Sequence, residues 1–452
     1  MKISHILGKN SRNMLFSYPY NKIKGKSIAS SKIRTKRYLK EGGVPVPEIY
    51  GRFTKPQHIL TFDWTSLPSA FALKPNKGLG GEGIIVIKRR AKDPLKKGKY
   101  LKDTWITTDR RKLSIEDLKL HTMAILEGAY SIRNVPDIAF IEEFIGRHKA
   151  FRKYAYRGTP DIRVIVFNKV PVMAMLRLPT RESGGRANLH QGAIAVGVDI
   201  ATGITTHAYW KGEYIRHKPG TKRKLHGIKI PKWTKMLKIA VACQEVTTLG
   251  YMGADIVLHP EKGPMVLEIN YMPGLQIQMA NKAGLRKRLE RVEDLRVRDA
   301  DHGVKIAKAL FASSFADRVK AEEGIRTISA FEKITIKGLR KDLKRKKVVA
   351  KIDTGAWRTS VSEKLAGELG LLEKDNILWE KRVVSSLGEE KRPVINLTFW
   401  LAGRKITTPA SVSKRMALKF PVIIGRKNLK GMLVNPEVSA DQKRELVKEV
   451  QG

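Results

Sequence analysis

The 452-residue chain holds a single cysteine, Cys243, so no intrachain disulfide can form. Cys243 falls in a helix expected over Trp233–Leu249, where its thiol reads as a small buried side chain. No stretch approaches the ~18 consecutive apolar residues that span a bilayer. The first ten residues also lack the apolar core of a secretion signal. These absences lead us to expect a soluble protein of a reducing cytoplasm, with no membrane partner. Acids are scarce: 43 Asp and Glu against 88 Lys and Arg leave a net charge of +45. The excess is spread at similar density over both halves, whereas a dedicated nucleic-acid binder more often gathers it on one arm or face. A basic proteome or a polyanionic ligand explains it better. No G-x-x-x-x-G-K-[ST] sequence occurs, which excludes a P-loop. Residues 303–452 contain neither histidine nor cysteine, the usual zinc ligands.

What is present is more specific. Lys74-Pro75-Asn76-Lys77-Gly78-Leu79-Gly80-Gly81-Glu82-Gly83 runs straight into Ile84-Ile85-Val86-Ile87. Four glycines in six residues let the backbone approach phosphates that any Cβ would hold away. Gly78, Gly80 and Gly83 spell G-x-G-x-x-G, but that fingerprint must open a helix, and here a β-branched run follows. The glycines therefore read as the turn of a hairpin lying over a nucleotide, with Lys74 reaching the same anion. Before it, a helix is expected over Lys32–Glu41, stopped by Gly42-Gly43 and then by the extended Val44-Pro45-Val46-Pro47. Ser114 and Asp117 have capping-box spacing ahead of an amphipathic segment over Leu118–Ala129. Strands are expected over Ala139–Ile145, Asp161–Phe167 and Val172–Leu178, and around Asp255–Leu258 and Met265–Ile269.

Asp255 and Glu268 lie on strands that read as a pair, and Asn270 shares a face with Glu268 by period-two alternation. Two carboxylates and an amide oxygen are hard donors suited to Mg²⁺, which takes few protein ligands and completes its shell with water and phosphate.

These motifs occur in a telling order. Lys74-Pro75 and the glycines, Ile141-Glu142-Glu143-Phe144-Ile145, Asp161-Ile162-Arg163, Arg186-Ala187-Asn188-Leu189-His190, and Gly253-Ala254-Asp255 through Glu268-Ile269-Asn270 follow one another. The series resembles the alpha-L-glutamate ligase-like branch of the ATP-grasp superfamily over roughly residues 10–290. The resemblance implies an α+β fold in which two subdomains clasp ATP. Lys74 and Lys32 would contact phosphates beneath Gly78, Gly80, Gly81 and Gly83. Backbone groups of Glu142, Phe144 and Ile145 would bind adenine, and Glu143 the ribose. Asp161, Arg186, Ala187 and Asn188 would lie beside the nucleotide. Asp255, Glu268 and Asn270 would hold two Mg²⁺ ions, with Mn²⁺ as a substitute. Arg163, Arg177, Arg181 and His190 are candidates to hold the acid substrate or its acyl phosphate, since arginine suits bidentate oxyanion binding.

Beyond residue 330 the texture changes to short β-rich runs. Asp353-Thr354-Gly355-Ala356 ends one of them, and Pro421-Val422-Ile423-Ile424-Gly425-Arg426 follows about seventy residues later. In such a turn the threonine hydroxyl would brace the loop. The pair, with Asn428–Pro436, is similar to a retropepsin-like family labelled ATP-dependent zinc protease. That resemblance implies a small all-β barrel with Asp353 as catalytic aspartate, and a homodimer to supply the second carboxylate. The expected layout is a front subdomain over 1–65, an ATP-grasp core over 66–312, a linker over 313–330 and the retropepsin-like domain over 331–452.

The resulting reading is an ATP-dependent carboxylate–amine ligase acting on small-molecule or peptide substrates, with glutamate and acidic peptides as candidates. The second domain would cleave or bind a peptide. The alternative is a basic, nucleic-acid- or polyanion-associated ATP-binding protein without ligase activity.

Overall fold

Phe71-Ala72-Leu73 and Ile85-Val86-Ile87 flank the glycine turn, and they pair antiparallel with Phe71 opposite Ile87 and Leu73 opposite Ile85. The glycines thus join two strands, and no helix starts from them. The structure, a computed structural model, describes residues 3–78, 80–94, 98–131, 134–312, 326–340, 342–385, 388–413 and 420–435. Leu79 of the glycine loop, most of the expected linker and Pro436 lie outside the described residues. The chain divides into two compact units, Met1–Asp294 and Leu295–Gly452.

In the first unit, one sheet is built from β1 (Ile49–Phe53), β2 (Phe71–Pro75), β3 (Ile85–Lys92), β4 (Tyr100–Thr107), β5 (Lys112–Ser114) and β6 (Ala139–Glu143). Their order is β1-β6-β2-β3-β4-β5. Helix α1 spans Lys32–Glu41. Helix α2 (Ile115–Leu126) begins at the complete Ser114–Asp117 capping box, and its Leu118 and Ile125 pack with Phe53, Phe71 and Trp105.

The second sheet holds β7 (Asp161–Phe167), β8 (Val170–Leu178), β9 (Ile194–Val198), β10 (Thr205–Trp210), β11 (Glu213–Ile215), β12 (Tyr251–His259) and β13 (Gly263–Asn270). Its order is β11-β10-β9-β8-β7-β12-β13. Every residue of β8 is buried, as a central strand requires. Helix α3 (Trp233–Thr247) packs across β7, β8, β12 and β13. It stops short of the expected Leu249 because Thr248 turns left-handed at φ 57°. Residues 1–65 do not stand apart as a front subdomain. Arg12 donates to the Met272 and Pro273 carbonyls, and Asn21 to that of Tyr251, which ties the first helices to the second sheet. β1, in contrast, is an edge strand of the first.

The second unit begins earlier than the sequence suggests. Helix α4 (Ala300–Phe311), capped by Asp299, belongs to it: His302 Nε2 lies 3.0 Å from the Leu378 carbonyl oxygen. The strands are β14 (Arg326–Ser329), β15 (Phe331–Lys337), β16 (Arg345–Asp353), β17 (Ser360–Ser362), β18 (Ile377–Ser385), β19 (Gly388–Leu401), β20 (Arg404–Ser413), β21 (Val422–Gly425) and β22 (Met432–Asn435). The order β15-β16-β21-β17-β20-β19 closes on itself where Thr335 pairs with Trp400 and Ile336 with Phe399, giving a six-stranded barrel. Ile334, Ile336, Ala350, Ile352, Leu397 and Phe399 fill its core. Among the described residues no helix is long and apolar enough to cross a membrane.

Candidate active site

The first turn of α1 is tied to the root of the glycine loop. Asn76 Oδ1 accepts from Ile33 N at 3.0 Å and from Ser31 Oγ at 2.9 Å, while Asp137 Oδ2 accepts from Lys77 N at 2.7 Å. Gly80, Gly81 and Gly83 all hold positive φ, and a Cβ on Gly83 would sit 2.5 Å from Tyr130 Cγ. Only glycine meets both demands there.

Lys32, at the start of α1, donates to the Gly78 carbonyl at 2.9 Å and to that of Asn76 at 3.3 Å, and stands 4.0 Å from Glu268 Oε1. One turn later Lys36 Nζ lies 2.9 Å from Glu142 Oε2, and Lys74 pairs with the other oxygen of the same carboxylate. Glu142 is 1 % exposed. Burial would push its carboxyl up, but Lys36 and Lys74 together hold it below the ordinary value. Burial also draws Lys32 and Lys36 down, against the attraction of Glu268 and Glu142 respectively. Three lysines and two glutamates thus form one cluster between the glycine loop and β13. Sequence reasoning missed Lys36, although its spacing from Lys32 puts both on one helix face.

Asp255 pairs with Glu268 across β12–β13 and with Arg163 across β12–β7. Arg163 grips it bidentately, Nε to Oδ1 at 2.7 Å and Nη2 to Oδ2 at 2.6 Å. Arg177 binds Asp161 in the same way, at 2.5 and 2.6 Å, and its Nη2 also lies 2.8 Å from Asp255 Oδ2. Asn270 Nδ2 donates to Asp255 Oδ2 at 3.3 Å. The result is a buried, charge-balanced chain of two aspartates and two arginines. Burial, reinforced by the Asp255 charge, pushes Asp161 above the usual carboxylate range. Burial acts the same way on Asp255, but the two guanidiniums outweigh it and hold that carboxyl low. Arg177 is therefore committed to aspartates at both ends, which suits positioning the floor and not holding a substrate acid.

Other expected residues are placed less centrally. The Glu143 carboxylate is paired with Lys262, accepts from Glu48 N at 3.3 Å and has His259 Nε2 at 3.6 Å, so a ribose would share it with these partners. Phe144 is half-buried and Ile145 buried, directly after β6. Asn188 donates to the Gly80 carbonyl at 3.1 Å, and Arg186 Cδ lies 3.6 Å from where a Gly81 Cβ would be, so this segment lies against the glycine loop. Ala187 between them is half-buried; Arg181, Arg186 and His190 are exposed.

The donor set suits magnesium in a particular way. Among the described residues no three His, Cys, Asp or Glu side chains gather as a closed metal cage. Glu268 is 43 % exposed with Lys32 at 4.0 Å, and Asn270 turns its nitrogen to Asp255, leaving its oxygen for a cation. Among the described residues Asp255 Oδ1 accepts from Arg163 alone, which leaves it a spare lone pair. An ion sharing Asp255 with the arginines and taking Glu268, Asn270, water and phosphate fits this arrangement.

In the second unit Asp353 ends β16, opposite Gly425 of β21 in parallel pairing. Its Oδ1 accepts from Gly355 N and Ala356 N, both at 2.9 Å, which leaves Oδ2 outside that turn. The bracing hydroxyl is that of Thr359, not the exposed Thr354. Thr359 Oγ1 donates to Asn428 Oδ1 at 2.8 Å and accepts from Gly425 N at 3.3 Å. Beside it, Trp357 is 57 % exposed with Arg426 stacked 5.1 Å from its ring.

Comparison with known proteins places the first unit. No curated protein matches the chain. Among solved structures, the chain is similar to the ATP-grasp ligase PsnB bound to a minimal precursor, at 15% identity over 61% of this chain and 63% of that one, with a TM-score of 0.32. It is also similar to D-alanine–D-alanine ligase from Bacillus anthracis complexed with ATP, at 15% identity over 67% and 72%, with a TM-score of 0.31. A protein of unknown function from Legionella pneumophila matches at 18% identity over 26% of this chain and 97% of its own, with a TM-score of 0.18. A family model described as sugar-transfer associated ATP-grasp matches residues 11–294, and the chain belongs to that family.

Proposed function

We propose that the first unit joins a carboxylate to an amine in a reaction driven by MgATP. A substrate carboxylate oxygen attacks the γ-phosphorus, ADP leaves, and an acyl phosphate forms. The amine nitrogen then attacks the acyl carbon, phosphate leaves, and the amine loses a proton to complete the amide. The observation that supports this reading is Lys32, which bonds the glycine loop and stands 4.0 Å from Glu268 at once, so that one side chain reaches both. Lys74 and Lys32 would bind phosphate oxygens and the glycine backbone would cover them. Glu268, Asn270 and Asp255 would hold magnesium, which neutralises charge on the transferring group. Arg163, Arg177 and Asp161 would fix Asp255 in place. Electrostatics and positioning then supply most of the rate, with no covalent nucleophile on the protein.

The glutamate ligase-like motifs make glutamate and acidic peptides the first acids to try. Because the family is described as sugar-transfer associated, we add sugar-linked acids and amines to the pools. Incubation of the chain with MgATP and paired pools of these acids and amines, read by mass spectrometry, tests the reaction. A condensation product formed with stoichiometric ADP supports it. ATP hydrolysis with no product from any pool counts against it.

For the second unit we propose a retropepsin-like role in which Asp353 meets its symmetry mate in a homodimer and polarises a water for peptide cleavage. The exposed Asp353 turn and the neighbouring Trp357 support this reading. Sedimentation of the full chain and cleavage of the ligation product test it together. A strictly monomeric chain would contradict it.

A further inference from the structure

A cavity of about 380 Å³ in the first unit is lined by Lys88 of β3, Phe144 and Arg147 after β6, and Arg152, Arg157 and Thr159 of the following loop. Four cations and no carboxylate face it. Its volume falls within the range of small-ligand sites.

Two of these cations are held by the loop, while Lys88 and Arg152 stay exposed at its rim. Thr159 Oγ1 donates to the Ile145 carbonyl at 2.6 Å and Arg147 Nη1 to that of Ala155 at 3.3 Å, which closes the loop on its own base. Arg157 sits at φ 53°, a conformation that few residues other than glycine adopt, with its guanidinium 5.1 Å from the Tyr156 ring. The next residue, Gly158, is pressed against the Gly184–Gly185 turn: a Cβ there would lie 1.6 Å from Gly185 O. That turn leads into Arg186–Asn188, which rests on the glycine loop. The nucleotide reading reaches this cavity only at its edge, through the Phe144 backbone expected to meet adenine; adenine is uncharged and the phosphates belong at Lys32 and Lys74, so that reading gives the four cations no counter-charge.

We infer that the cavity is a second anion site, which takes a phosphate-bearing ligand distinct from the bound nucleotide. The loop-held guanidiniums of Arg147 and Arg157 suit phosphate oxygens, and Phe144 adds apolar lining for whatever body carries the phosphate.

The test uses the full chain saturated with Mg·AMPPNP, so that the triphosphate site is filled, and titrates it with pyrophosphate by calorimetry. One further binding event is expected. It should weaken about tenfold or more in Lys88→Gln/Arg152→Gln, since each charge-assisted hydrogen bond to the anion contributes on that scale. Both residues are exposed, so the variant keeps its fold, and its AMPPNP affinity should stay within about twofold of the parent. Triglutamate serves as the control anion: tighter binding of it than of pyrophosphate would overturn the phosphate assignment. No event in the saturated protein, or an unchanged affinity in the variant, would overturn the site itself. A chain that fails to bind AMPPNP yet loses pyrophosphate binding on the double substitution would refute the nucleotide reading and support this one.

Discussion

Lys32 Nζ stands 4.0 Å from Glu268 Oε1 while bonded to the Gly78 carbonyl, so one side chain spans the gap between the glycine loop and the acid–amide face. Replacing Lys32 with methionine keeps the length and removes the charge. ATP turnover should fall by about tenfold or more, because the phosphate loses a charge-assisted hydrogen bond. The melting temperature should be unchanged or raised, since burial already disfavours the ammonium. Steady-state ADP release alongside calorimetric melting checks both halves.

Glu142 is the buried hub of the lysine cluster. Glu142→Gln leaves Lys36 and Lys74 facing a neutral partner, and a loss of about 3 kcal/mol is expected from breaking a buried pair. The pH sense follows from its depressed folded pKa. The stabilisation is complete above the ordinary value of 4.5 and is lost as pH falls through the lower folded value. The wild-type melting temperature should therefore drop on acidification over that window, and the variant should show a flatter acid limb.

Arg177 joins Asp161 to Asp255. Arg177→Met strands Asp161 in a dry site and leaves Asp255 with Arg163 as its guanidinium partner, and roughly 3–5 kcal/mol of stability should be lost. Arg177→Met/Asp161→Asn removes one of those charges and should recover part of the loss, which a denaturant titration of the two variants measures. Equal stability of the single and double variants would show that the chain of charges is not coupled.

Gly83→Ala places a Cβ against Tyr130 at positive φ. The loop should shift, with a penalty of about 1 kcal/mol or more. Weaker AMPPNP binding at an unchanged global melting temperature would mark the effect as local to the loop.

Asp353→Asn retains an Oδ1 able to accept from Gly355 and Ala356, so the turn should survive. ATP turnover should be unaffected and any peptide cleavage abolished. Cleavage that persists in this variant would rule out an aspartyl mechanism.

Local structure was the most legible part of the sequence. Gly42 and the proline-rich segment after it end α1, and the Ser114–Asp117 box starts α2, because capping is decided by neighbours in sequence. The glycine hairpin was legible from its β-branched continuation. Long-range relations were not. The barrel closes through Thr335 and Trp400, whose pairing no local pattern encodes. The commitment of Arg177 to two aspartates depends on strand register, which sets Asp161 opposite Arg177 and Asp255 opposite Arg163. Helix α4 looked like the tail of the first unit because its partner, the Leu378 carbonyl, lies far along the chain. Lys36 was hidden for a different reason: a lysine on a helix reads as solvated until its acid is known to be buried beside it.

The central claim is that the glycine loop and the Asp255–Glu268–Asn270 face bind one magnesium nucleotide between them. Calorimetric titration of AMPPNP into wild type, Lys74→Met and Glu268→Gln, each with and without Mg²⁺, tests it most directly. The account predicts weaker binding in Lys74→Met whether or not magnesium is present, and a defect in Glu268→Gln that appears only when it is. Unchanged affinity in either variant with magnesium present would contradict it.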